Sequence, residues 1–417
     1  MKDYLRSLNP RLPRSVQTLQ AGGLVNAFGN GVVLPFTFIY LHNVRHFGLG
    51  TVGLILAANA GTSLLAGPVA GSLVDRVGGR RMLAIALVFL TIGFLQYPFI
   101  QHPWQGFLAT ATIGIGGGAF WPAQATLIAG LTPHEQRPVA FAMQRVVMNL
   151  GIGLGGLVGG LIATTAHPRS FDVLFLLNAA TFVVYFAVLY AFVPESARPA
   201  AHADRPPGRY AEVFRHKVFM GFMALNTLFV AAGMAQLEIL PVYAKNHAGV
   251  TERGVGLIFF VNTMVIVIAQ LPIAKLSRGR RRMATLTLLG AVWAAAWALV
   301  PVSGLWLSGA SATAMLAFAA GVFAVGECLH GAVQAPLVAD LADHRLLGRY
   351  MAMSALSWQV GFVIGPAAGG FLLALTPTGL WLAAAVLCLA AGLAALALEP
   401  AIPAAARRTP LPAGVEA

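Results

Sequence analysis

Long apolar runs alternate with short polar ones along the whole chain. They fall at 16–41, 51–74, 82–100, 104–131, 138–165 and 171–193, then at 218–244, 254–276, 283–302, 311–338, 350–375 and 378–398. Each is about 20 residues or more, the length an α-helix needs to cross the hydrocarbon core of a bilayer. Barrel strands would be shorter and would alternate apolar with polar residues. Because lipid offers no hydrogen bonds to a backbone, spans of this kind must be helical. The pattern predicts an all-α polytopic membrane protein with twelve transmembrane helices. One longer polar stretch, 194–217, contains Pro199, Pro206 and Pro207 and separates two sets of six. The expected organisation is an N-terminal six-helix bundle over 1–193, a cytoplasmic linker over 194–217, a C-terminal six-helix bundle over 218–400 and a cytoplasmic tail over 401–417.

The two sets resemble each other. Val52-Gly53-Leu54-Ile55 before Asn59 recurs as Val255-Gly256-Leu257-Ile258 before Asn262, a shift of 203. Gly151, Gly155, Gly159 and Gly160 in the fifth span match Gly361, Gly365, Gly369 and Gly370 in the eleventh at a shift of 210, and Gln124-Ala125 matches Gln334-Ala335 at the same shift. Pseudo-symmetric six-helix repeats of parallel orientation are a layout of secondary transporters.

Composition narrows the class further. Of 417 residues 58% are hydrophobic and only 10% charged, against about 25% charged in soluble domains. That excludes a soluble enzyme. The net charge of +13 points to membrane topology rather than to nucleic acid, because the basic residues gather in alternate loops. With the N-terminus in the cytoplasm, 22 of the 27 Lys and Arg fall inside, while Arg45, Arg169, Lys245 and Arg253 fall outside. The positive-inside rule then places both termini in the cytoplasm. The basic N-terminal stretch reads as a lead into the first span, not as a removable signal. Cys328 and Cys388 both lie in apolar spans, so neither a disulfide framework nor a metal spacing is present. No Walker-type, H-E-x-x-H or paired-cysteine motif occurs either, leaving ATP hydrolysis and metal chemistry without residues. No cofactor and no metal are expected.

After the second span comes Gly71-Ser-Leu-Val-Asp75-Arg76-Val-Gly78-Gly79-Arg80-Arg81, an acid set among arginines and a glycine pair at the turn. The fifth span carries glycines at i, i+4 and i+8, which let two helices approach closely. Its Gly151, Gly153 and Gly156 formally make G-x-G-x-x-G, but inside an apolar span a dinucleotide reading has no strand to precede it. The loop resembles the signature loop of the major facilitator superfamily, G-x-L-x-D-R-x-G-R-R. The glycine run is similar to the fifth-helix motif G-x-x-x-G-P-x-x-G-G of that superfamily's drug:proton antiporters. Here Gly156 stands where that motif has proline, while the eleventh span has the complete form, Gly361 through Gly365-Pro366 to Gly369-Gly370. The arginine those antiporters carry in the fourth helix is absent. The resemblance implies that Asp75 engages the start of a neighbouring helix and nearby arginines, with Gly71, Arg76, Gly78, Arg80 and Arg81 completing a cytoplasmic latch. A carboxylate at a helix N-terminus gains about 0.3–1 kcal/mol. The equivalent loop of the second half, Lys275 to Arg282, keeps the arginines and has no acid of its own.

Charges within the spans point to function, each costing about 2.5–3.5 kcal/mol at a helix centre on insertion scales. Glu327 lies near the middle of the tenth span and Glu238 in the outer part of the seventh. Burial penalises the charged form of a carboxyl, so both are candidates for reversible protonation. Arg145 is the one cation within a span away from its ends, either a buried partner for an acid or carbonyls or a participant in binding. Asn26, Asn30, Gln144, Asn149, Trp358 and Gln359 are candidates, with Arg145, for the lining of a substrate cavity. Phe120 and Trp121 are further aromatic candidates, and His330 sits three residues after Glu327 on the same helical face.

The resemblance implies a secondary transporter of the bacterial cell membrane, not an enzyme. It is expected to export lipophilic or cationic compounds in exchange for protons by alternating access, as a monomer whose partners are a small-molecule substrate, protons and the bilayer. A proton-coupled sugar or metabolite symporter, a lipid-handling transporter and a non-transporting receptor on the same fold remain open as alternatives.

Overall fold

A computed structural model describes residues 12–133, 136–195, 210–343 and 346–409. Among these the chain is helical, with no strand beyond an isolated antiparallel bridge between Arg281 and Arg408. Twelve long helices follow in order. They are α1 (Arg14–Val33), α2 (Leu49–Val77), α3 (Gly79–Leu95), α4 (Pro103–Leu131), α5 (Arg137–Ile162), α6 (Arg169–Phe192), α7 (Lys217–Ala232), α8 (Glu252–Leu276), α9 (Arg282–Leu305), α10 (Gly309–Leu341), α11 (Leu347–Leu375) and α12 (Pro377–Leu398). Eleven, with α1 counted through its extension to Val44 and α7 through its extension to Glu238, are long and apolar enough to cross a membrane. The other, α4, has 29 residues and no charge, but its Gly116–Gly118 run and threonines dilute its hydropathy. Exposed Leu65, Phe192, Ile268 and Leu375, 68–81% accessible, suit a surface facing lipid rather than water.

Two expected spans are interrupted. After α1 the chain loosens, then resumes as Thr37–Ile39 and a π-turn, Tyr40–Val44. After α7, Gly233 takes φ −102° and ψ −91°, outside helical geometry, and its Cα lies against the Trp293 ring. The chain continues as a 3₁₀ segment, Met234–Glu238, and a helix, Leu240–Ala248, with Pro241 near its start. The single helix expected over 218–244 is therefore broken beside Glu238.

The chain divides into two compact units: Met1–Phe47 with Ala58–Asp204, and Gly48–Ala57 with Arg205–Ala417. In the first, the glycine face of α5 lies on α1. A Cβ on Gly151, Gly155 or Gly159 would run into Ala27, Phe28 or Val32, and one on Gly31 into the backbone of Ile152. In the second, α11 meets α7 and its extension alike: Gly361 faces Val230, Gly365 faces Ala231 and Ala235, and Gly369 faces Gln236 and Ile239. Gly370 and the Pro366 carbonyl pack against Gly53 of the same unit. Gly160 is buried on α5. In apolar surroundings such close backbone packing, not hydrophobic exclusion, holds helices together. Aromatic clusters complete each interior. Tyr40 donates to the Tyr97 carbonyl at 2.7 Å in the first unit, and Trp293 stacks on Phe323 at 4.8 Å in the second.

Candidate functional site

Glu327 sits on α10, the longest helix at 33 residues, far from either end, and its side chain is half-buried. Asn262 of α8 donates from Nδ2 to Glu327 Oε2 at 2.9 Å and to the Ala320 carbonyl at 3.2 Å. The carboxyl is thereby oriented by a neutral donor, with no cation paired to it among the described residues. One turn on, His330 is 2% exposed, and its Nε2 donates to Asn226 Oδ1 of α7 at 2.9 Å. Asn226 Nδ2 donates to Ser357 Oγ at 2.8 Å, and Ser357 donates to the Ser354 carbonyl at 2.7 Å. Gln334 Nε2 reaches Ser354 Oγ at 2.8 Å. His330 also lies edge-to-face with Trp358 at 5.2 Å and stacks on Trp293 at 6.0 Å. The second unit thus carries a connected polar network beside an intramembrane acid. Glu238, half-buried at the end of the 3₁₀ segment, stands apart from it, and Gln359 is half-buried on α11.

The first unit gathers different residues. Asn26, Asn30, Phe120, Trp121, Gln124 and Phe182 line a recess of about 110 Å³. Asn30 Nδ2 approaches Asn26 Oδ1 at 3.4 Å, whereas the buried Asn26 Nδ2 has no hydrogen-bond partner. Gln144 donates to Gln124 Oε1 at 2.7 Å, and Gln124 donates to the Tyr185 hydroxyl at 3.0 Å. Arg145 and Asn149 are not brought to this recess. The Arg145 side chain is exposed, and Asn149 Nδ2 turns back onto the Arg145 carbonyl at 2.9 Å. Of the two readings left open for Arg145, pairing with an acid finds no partner among the described residues.

The signature loop is built around a partner that the sequence did not suggest. Gly78 takes φ +93°, a conformation open to glycine, and lets α3 start immediately after α2. Glu195, just beyond α6, accepts the Arg80 backbone N–H at 2.9 Å. The Arg80 guanidinium donates to the Tyr190 carbonyl at 2.6 Å and lies 4.8 Å from the Tyr190 ring centre. Arg76 and Arg81 are exposed, and nothing lies within 4 Å of a Cβ built on Gly71. The side chain of Asp75 lies outside the described residues. The second-half loop, which lacks its own acid, receives two from elsewhere. Glu399, just after α12, takes a two-pronged bond from Arg281, and Asp340 at the end of α10 takes one from the fully buried Arg282 at 2.6 Å. The hydrogen bond to Glu399 raises the Arg281 pKa above its ordinary value. A carboxylate just past the last helix of each six-helix set, three residues beyond α6 for Glu195 and one beyond α12 for Glu399, therefore meets each loop. The spacing between Glu195 and Glu399, 204 residues, is the one signal that would have found them, since it matches the internal repeat.

Comparison with known proteins gives the same class. The model of the Major Facilitator Superfamily matches residues 20–312 and 239–415. A Na(+), Li(+), K(+)/H(+) antiporter of Planococcus maritimus is 23% identical over 401 residues, covering 88% of this chain and 89% of that protein. The multidrug resistance protein MdtH of Cronobacter sakazakii is 24% identical over 347 residues, covering 82% and 83%. Among solved structures, the nucleoside transporter NupG superposes with a TM-score of 0.78 over 92% of this chain and 100% of that one, at 12% identity.

Proposed function

The chain belongs to the major facilitator superfamily, a family of membrane transporters and not of enzymes, and from that premise we propose that it is a proton-coupled antiporter exporting lipophilic or cationic compounds. The observation that carries this reading is Glu327, an acid far from either end of α10 whose carboxyl accepts from the neutral amide of Asn262 and is paired with no cation among the described residues. A carboxylate there attracts a cationic or polar substrate, and protonation removes that attraction. A proton and a substrate that compete in this way exchange across the membrane during alternating access, each shifting the conformational equilibrium only by its differential affinity for the two states. Glu238, beside the break after α7, is the second proton-carrying candidate. The matched multidrug resistance protein supports efflux as the direction. The bias of Lys and Arg supports cytoplasmic termini, and the bacterial relatives support a bacterial inner membrane.

The test is Glu327→Gln in proteoliposomes with an imposed pH gradient and ethidium as the transported cation. Glutamine keeps an oxygen for Asn262 to donate to, so the fold is retained. The expected result is loss of gradient-driven transport with downhill exchange preserved; gradient-driven transport at the wild-type rate overturns the assignment. The relative from Planococcus maritimus favours one second reading, in which the exchanged cation is Na⁺ or K⁺. Replacing ethidium by each ion in the same vesicles separates the two.

A further inference from the structure

The loop between α8 and α9 is stitched to the chain after α12, at the end of the second unit that the bias of Lys and Arg assigns to the cytoplasm. Gly279 N–H donates to the Thr409 carbonyl at 2.9 Å, Thr409 N–H to the Arg280 carbonyl at 3.1 Å and Arg282 N–H to the Arg407 carbonyl at 2.8 Å. This short antiparallel pairing sets Arg281 opposite Arg408. Beside it opens a pocket of about 500 Å³ lined by Arg281, Arg407, Arg408, Glu399, Pro400 and Leu396. Three guanidinium groups thus meet one carboxylate, which Arg281 already engages with two N–H groups. Arg407 donates to the carbonyls of Ile402 and Pro400, and Arg408 to that of Gly279. A guanidinium carries five N–H donors in a planar fork, so each arginine keeps at least three unused among the described residues. Lys275, Arg278 and Arg280 of the same loop are exposed and paired with no acid among those residues. The local excess of positive charge is therefore not balanced from nearby.

The apolar wall of the pocket, Leu396, is the last member of a stripe. Leu382, Val386, Leu389, Leu393 and Leu396 are 39–64% exposed, and their spacing of three and four residues puts them on one face of α12. At 1.5 Å per residue the stripe is about 21 Å long, more than the roughly 15 Å that half of a bilayer's hydrocarbon core occupies. We propose that the pocket binds the phosphodiester headgroup of an anionic phospholipid whose acyl chains lie along this stripe. Arginines hold phosphate oxygens through paired N–H donors, and basic pockets on the cytoplasmic side of a bundle suit anionic headgroups. A soluble phosphate would use the same donors but none of the stripe, which is the ground for choosing the lipid. The bound headgroup adds its oxygens to the contacts that join the 275–282 loop to the segment after α12. The site is separate from Glu327 and Glu238 and does not rest on the transport reading.

The experiment titrates the full chain in micelles of a neutral detergent and counts bound lipid by native mass spectrometry. The probes are dioleoylphosphatidylglycerol, dioleoylphosphatidylcholine and inorganic phosphate. Phosphatidylglycerol is expected to bind at least tenfold more tightly than phosphatidylcholine, which has the same chains and phosphate but a neutralising choline cation. Inorganic phosphate in hundredfold excess should displace less than half of it. A basic residue near an anionic lipid surface contributes about fivefold in affinity. Arg407→Gln with Arg408→Gln should therefore weaken phosphatidylglycerol binding about 25-fold. Leu396→Glu, which adds an acid to the pocket wall and keeps every arginine, should weaken it about fivefold. Lys275→Gln with Arg278→Gln, outside the pocket lining, should change it less than twofold. Thermal unfolding confirms that each variant is folded. No preference for phosphatidylglycerol, retention of wild-type binding by both pocket variants, or equal weakening by the loop pair overturns the proposal. Ready displacement by inorganic phosphate would make the ligand a soluble anion and overturns the lipid assignment.

Discussion

The hydrogen bond between Asn262 and Glu327 is measurable by a double-mutant cycle. Asn262 Nδ2 makes two bonds, to Glu327 Oε2 and to the Ala320 carbonyl. Asn262→Leu changes the size of the side chain little and removes both. A hydrogen bond to a charged group contributes about 1.5–3 kcal/mol, one between neutral groups about 0.5–1.5 kcal/mol. The single change should therefore destabilise the protein by about 2–4.5 kcal/mol when Glu327 is ionised. In a Glu327→Leu background only the carbonyl bond is left to lose, and the same substitution should cost about 0.5–1.5 kcal/mol. The difference, a coupling of about 1.5–3 kcal/mol, belongs to the carboxylate contact alone. If Glu327 carries its proton under the conditions of the assay, the coupling falls to the neutral range of about 0.5–1.5 kcal/mol. Equilibrium unfolding of the four proteins in mixed micelles gives the number directly. A coupling indistinguishable from zero would show that the two residues act independently and would remove the support for Glu327 as an oriented proton site.

Gly155→Leu should destabilise strongly, beyond the roughly 1–3 kcal/mol typical of overpacking, because its Cβ meets the backbone of Phe28 and Val32, whereas Gly71→Ala, with open space around it, should be close to neutral in the same unfolding assay. Gly78→Ala places an L residue at φ +93° and a Cβ 2.8 Å from the Glu195 carboxyl. It should cost about 1–3 kcal/mol and free Arg80 from Glu195, read as faster trypsin cleavage at Arg80; unchanged cleavage would refute the role given to that contact. Cys328 and Cys388 are both 0% exposed, so a maleimide dye should label neither in the native protein and both on unfolding, and rapid native labelling would contradict the packing of α10 and α12.

The fold was legible because its signal is cumulative: twelve runs of apolar residues, spaced by basic loops, leave a chain no other way to satisfy its backbone in lipid. Local geometry was less so. The seventh run reads as one apolar helix, and nothing in its hydropathy shows that Gly233 leaves helical geometry with Trp293 packed against it. The partners of the two loops were hidden by distance, since Glu195 lies 115 residues from Arg80 and Glu399 lies 118 from Arg281. Asn262 was visible only as a repeat of Asn59, and its role appeared once α8 and α10 were placed side by side. The repeat is nonetheless the most informative feature of the sequence. Matching glycines on α5 and α11 say that the two six-helix sets pack alike, and packing alike makes every unmatched polar position meaningful. Glu327 against Gly117 and His330 against Phe120 are such positions. With backbone contacts so similar, the difference in side chains is what gives one unit an acid with its donor and leaves the other without one. Exchanging those residues between the units, Gly117→Glu with Glu327→Gly, should therefore carry the acid's chemistry to the first unit without moving the glycine faces, and loss of folding in the exchanged protein would show that the units are less alike than their glycines indicate.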